Sequence, residues 1–104
     1  MIDISISEKT HRVVASGHAL FDQKGKDVVC AAVSVTLQGW VVGTRLLCKQ
    51  DVAVRQTEGR WEAEVSEVNE NSLLLWKQMI LTLDILSRQY PDHIRLHWEE
   101  NHGS

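Results

Sequence analysis

Residues 27–47 read DVVCAAVSVTLQGWVVGTRLL, and this stretch decides the fold. Asp27 stands where a helix N-cap stands, directly before the long apolar segment Val28 to Leu47. The valines also suit β-structure, but the length of the segment favours a helix. Val28, Ala31, Ala32, Val35, Leu46 and Leu47 make it apolar on most sides, the pattern of a helix buried on two faces. Gly39 and Gly43 lie four apart on one face. Each costs a helix about 1 kcal/mol against alanine, which implies a close packing contact there.

Working outward, Ile2, Ile4 and Ile6 alternate with Asp3, Ser5 and Ser7, the period of a half-buried strand. His11 to Ser16 reads as a second strand, ending at Gly17–His18, and Ala19 to Lys26 has turn chemistry in Asp22, Gln23, Lys24 and Gly25. Beyond the helix, Val52 to Thr57 and Arg60 to Ser66 alternate again around a Glu58–Gly59 hairpin turn. Trp61, Ala63 and Val65 face one way there, with Glu62 and Glu64 facing the other. Asn69 to Asn71 begin a second helix whose stripe is Leu75, Trp76, Met79, Ile80, Leu83 and Leu86. Leu74, Leu81 and Ile85 form a second apolar face, and Tyr90–Pro91 stops the helix. His93 to Trp98 closes the chain as a strand with Ile94, Leu96 and Trp98 inward. The four tryptophans Trp40, Trp61, Trp76 and Trp98 are read as core anchors. The order ββαββαβ predicts one α+β domain over residues 1–104, two helices packed on a mostly antiparallel sheet.

Composition limits the function. A chain of 104 residues that is 43% hydrophobic can build a core without disulfide or metal staples, and no cofactor is expected. Eleven Lys and Arg against fourteen Asp and Glu give a net charge of -3. That disfavours nucleic-acid binding through a bulk basic surface and leaves room only for a local patch. The longest uninterrupted apolar run is six residues, Val28 to Val33, short of the ~18 of a membrane helix. Asp3 and Glu8 interrupt any signal-peptide pattern, and two cysteines make no disulfide scaffold. A cytoplasmic, reducing setting is expected.

Cys30 falls at the third helical position if Asp27 caps the helix, where unpaired backbone N–H groups and the helix dipole favour a thiolate. His18, one loop upstream, would supply a base to deprotonate the thiol and an acid for the leaving amine. The competing reading is a core cysteine beside Val29 and Ala31, since cysteine is among the most buried residue types. Ser34 shares the face of Cys30, either hydrogen-bonding near the thiol or bonding back to a helix carbonyl. Cys48, eighteen residues on, stands ~27 Å further along a continuous helix and is an incidental thiol. His93 and His97 are ~13 Å apart along a strand, too far for one ion, so with His102 they read as a solvated face and no metal site is expected. No phosphate-binding loop, dinucleotide fingerprint or Cys-x-x-Cys pair is present.

The segment Ser16–Gly17–His18–Ala19, followed by Gly25–Lys26–Asp27–Val28–Val29–Cys30–Ala31–Ala32–Val33–Ser34, resembles the ribosomal-processing cysteine proteases, the Prp family. The family pattern is Gly-His-Ala, a glycine-containing loop, then Gly-x-Asp-Ile-Val-Cys-Ala-Ala-x-Ser, from which only Val28 departs. The resemblance covers essentially the whole chain. It implies a cysteine endopeptidase that removes a short N-terminal extension from the twenty-seventh protein of the large ribosomal subunit. It further implies His18 as general base and Cys30 as nucleophile, with Gly17, Asp27 and Ser34 in supporting positions, a homodimer, and a mobile loop that orders around substrate. Leu20–Phe21 make that loop bulkier than the family pattern. The rival reading is a non-catalytic, ribosome-associated binding module in which Cys30 is core.

Overall fold

Alternating apolar and polar residues at the N-terminus form β1, Ile2–Ser7, which sits inside a five-stranded sheet. The computed structural model describes residues 1–17 and 28–99. β2 is Arg12–Ser16, α1 is Val28–Leu47, β3 is Ala53–Thr57, β4 is Arg60–Glu64, α2 is Glu70–Gln89 and β5 is Ile94–Trp98. The strands lie in the order β3-β4-β2-β1-β5. β5 runs parallel to β1 and every other pairing is antiparallel, so the expected ββαββαβ order and mostly antiparallel sheet are what the chain forms.

One face of the sheet is apolar and the helices cover it. Ile2, Ile4, Ile6, Val13, Ala15, Trp61 and Ala63 are buried there against Val33, Leu37 and Trp40 of α1 and Trp76 and Leu83 of α2. Trp40 and Trp76 meet edge to face, 5.4 Å between ring centroids, which ties the two helices together above the sheet. The start of α2 is fixed by a capping box. Asn69 Oδ1 accepts from the Ser72 N–H at 2.9 Å, and the Asn69 N–H donates to Ser72 Oγ at 2.9 Å.

Four expectations need correction. β2 begins at Arg12, because His11 has φ 52° and belongs to the turn between β1 and β2. Trp98 is 48% exposed rather than inward: it is the last residue of an edge strand, and Leu96 before it is only half-buried. α1 is buried on one side within this chain, leaving Val28, Val35, Val42, Leu46 and Leu47 exposed. The glycines of α1 do not serve a close approach either. A Cβ on Gly39 would meet nothing within 4 Å, and one on Gly43 would make ordinary contact with Leu75 Cδ1 at 3.5 Å.

α1 is also long and apolar enough to cross a membrane by length and composition alone. Run length missed this because isolated Ser, Thr, Gln and Gly residues break the run without making the helix polar. Its inner stripe, including Val33, Leu37 and Trp40, is part of the core cluster. That marks α1 as the core helix of a folded domain.

Candidate active site

Gly17 ends β2 in a conformation that only glycine takes easily. Its φ is +146°, its N–H donates to the Gly59 carbonyl at 3.1 Å, and a Cβ here would lie 2.6 Å from the Met1 carbonyl oxygen. Three segments therefore meet at the residue before His18: the end of β2, the start of β1 and the β3–β4 turn. His18 itself lies outside the described residues, as do Asp27 and the Ala19–Lys26 segment with Leu20–Phe21 and Gly25.

Cys30 is the third residue of α1 and 7% exposed, within the core cluster that includes Val29 and Val33. It thus sits near the N-terminal end of α1, where the positive end of the helix dipole favours an anion. The helix axis carries Cys48 to the far end, just past Leu47, so the two thiols occupy opposite ends of α1. Ser34 lies one turn beyond Cys30, half-buried, and its hydroxyl makes no hydrogen bond among the described residues. The back-bond to a helix carbonyl is made instead by Thr36 to Ala32 at 2.7 Å and by Thr44 to Trp40 at 2.8 Å. No cluster of His, Cys, Asp or Glu among the described residues is arranged to hold a metal ion. His93 directly precedes β5 and His97 lies within it, and His97 Nε2 lies 3.2 Å from Asp3 Oδ1, an exposed contact across to β1.

The class is set by comparison with known proteins: the chain is a cysteine peptidase by family. The chain belongs to the Prp family of cysteine proteases, whose family model matches residues 1–95. It is 32% identical over 97 residues to the ribosomal processing cysteine protease Prp of Mycoplasma pneumoniae, covering 90% of this chain and 91% of that protein. Its likeness to the ribosomal processing cysteine protease Prp of Staphylococcus aureus is 25% over 103 residues, covering 94% and 97%. The S. aureus protease solved with a covalently linked product peptide superposes with a TM-score of 0.77 at 26% identity, covering 94% of this chain and 97% of that one. The same protease with a substrate peptide gives 0.78 at 24% identity over the same shares.

Two features of the fold escaped the sequence reading. The contact of Gly17 with Gly59 and Met1 is one, since it joins residues far apart in the chain. The other is the ring of His11, edge-on to Trp76 at 5.4 Å, which fixes a turn to the core. A histidine next to a strand start gives no sign of either role.

Proposed function

We propose that this protein is an endopeptidase that removes an N-terminal extension from the twenty-seventh protein of the large ribosomal subunit, with Cys30 as nucleophile and His18 as general base. The observation that carries the reading is the place of Cys30 in the first turn of α1, in a chain that belongs to the Prp family. The relatives named above are described as ribosomal processing proteases, and one is solved with a substrate peptide, which supports a peptide substrate of ribosomal origin.

In this reading His18 takes the proton from Cys30 Sγ, and the thiolate attacks the scissile carbonyl carbon. Backbone N–H groups of the first turn of α1 stabilise the oxyanion that develops. The imidazolium then gives its proton to the departing amine, leaving a thioester on Cys30 that water hydrolyses, again with His18 as base. Gly17 holds the strand end that leads into His18, and Ser34 lies one turn beyond Cys30 on α1. The reaction requires no metal or other cofactor, and two cysteines outside any disulfide fit a reducing cytoplasm.

The protein acts as a homodimer in this reading. Val35 and Val42 of α1 and Leu74, Leu81 and Ile85 of α2 remain exposed on the helical layer, a surface that a second copy would cover.

The burial of Cys30 favours one rival, a non-catalytic binding module that uses the same surface without chemistry. Incubating the purified protein with the extended ribosomal protein separates the two. A single cut near the substrate N-terminus is expected, abolished in Cys30→Ala with binding retained, and unchanged in Cys48→Ala. An intact substrate would favour the binding module instead, and a Cys30→Ala variant that still cuts would remove Cys30 as the nucleophile.

A further inference from the structure

The face of the sheet opposite the helices carries a charge pattern for which the peptidase reading has no use. Strand register sets its side chains in three rows: Ser16, Arg60 and Thr57; then Val14, Glu62 and Arg55; then Arg12, Glu64 and Ala53. Glu62 is at the centre. Its Oε1 accepts from Arg60 Nη2 at 2.8 Å and from Arg12 Nη2 at 3.2 Å, so two guanidiniums from neighbouring strands converge on one oxygen. The Arg60 hydrogen bond, followed after an opposing burial effect by the charge of Arg12, holds the Glu62 carboxyl below its ordinary range. It is therefore a fixed anion at neutral pH and a firm brace for both arginines.

Each guanidinium has five N–H donors in a planar fork, and one contact with Glu62 leaves most of them available. Arg55, beside Glu62 on β3, makes no ion pair or hydrogen bond among the described residues. Arg12, Arg55, Arg60, Thr57 and Glu62 together line a recess of about 340 Å³. Within it three positive charges face one negative, on a chain whose net charge is -3. Glu64 lines an adjoining recess with Arg55, at the margin of this one. This cluster leaves a cationic surplus, supported from below and aimed at a small concavity.

We propose that the recess formed by Arg12, Arg55 and Arg60 is an oxyanion site that takes a phosphate group, with Glu62 positioning two of the three guanidiniums. Forked donors match phosphate oxygens in charge and in geometry, and the Thr57 hydroxyl adds a neutral donor. The phosphate belongs either to a free anion or to the backbone of a single-stranded RNA, since both present the same oxygens. The site is exposed, so its affinity falls as salt rises.

The test follows the arginine Nε–Hε resonances of the full-length ¹⁵N-labelled protein during titration with inorganic phosphate, with chloride added at matched ionic strength as control. Saturable shifts are expected at Arg12, Arg55 and Arg60 and not at Arg88, which is paired with Asp84 on α2. Arg55→Gln, an exposed edge-strand change whose fold is checked by circular dichroism, should weaken phosphate binding about tenfold, the scale of one charge-assisted contact. A short oligouridylate identifies the source. Binding tighter than phosphate and lost in Arg55→Gln assigns the site to an RNA backbone, and silence towards RNA with phosphate binding retained assigns it to a free anion. Shifts that follow ionic strength alone and appear equally at Arg88, or binding unaffected by Arg55→Gln, would overturn the proposal and leave a solvated set of surface ion pairs.

Discussion

Replacing Gly17 by alanine tests the geometry of the strand end that leads into His18. Two costs are involved. The backbone at φ +146° is nearly closed to residues with a Cβ, a strain of about 1–3 kcal/mol. The new Cβ would also lie 2.6 Å from the Met1 carbonyl oxygen and 3.2 Å from Ile2 Cα, both backbone atoms that cannot rotate away. Forcing them apart shifts the start of β1, and overpacking of this kind costs about 1–3 kcal/mol. The sum, about 3 kcal/mol or more, is a large share of the 5–15 kcal/mol expected for a domain of this size. With an unfolding entropy of about 0.2 kcal/mol/K for a hundred residues, Tm should fall by about 15 °C.

Gly59→Ala isolates the first cost. Its φ is +74°, but a Cβ there would meet nothing within 4 Å, so a loss of about 1 kcal/mol is expected. Urea denaturation of both variants, with unchanged m-values, gives the comparison directly. If Gly17→Ala costs no more than Gly59→Ala, the contact between Gly17 and the start of β1 does not constrain the chain, and the account of how His18 is approached is wrong.

Cys30 should be alkylated below neutral pH far faster than Cys48, and His18→Ala should slow that reaction; equal labelling of both thiols at every pH, read by mass spectrometry, counts against the dyad. Leu81→Glu should convert a sedimenting dimer into a monomer, whereas a monomeric unmodified protein at high concentration refutes the dimer outright. Leu83→Ala removes a fully buried side chain beneath α2 and should cost about 2–5 kcal/mol in chemical denaturation. Glu62 has a lowered pKa, so its folded-state advantage exists above the ordinary carboxylate value of 4.5 and is lost as pH falls through the lowered one. The stability gap between the unmodified protein and Glu62→Gln should therefore be widest near neutral pH and close in acid, and a gap independent of pH would show that the arginines do not depend on the charge.

The sequence by itself determined the elements and their order. Period-two alternation in Ile2–Ser7 and Arg60–Glu64, the long, mainly apolar segment of α1 and the Asn69 cap of α2 are local signals, each set by residues only a few positions apart. The start of α1 placed Cys30 for the same reason, because the long apolar segment itself sets where the helix begins. Tertiary structure decided what depends on partners distant in the chain. Pairing order put β5 at an edge, which left Trp98 exposed despite its alternation, and made α1 a one-sided core helix rather than a two-sided one. It gave Gly39 open space where the spacing of small residues suggested a close contact. It also gathered Arg12, Arg55 and Arg60 around Glu62, from three strands whose charges look merely polar when read one strand at a time. Periodicity says which face of an element is buried, whereas only the packing of one element on another says what that face meets.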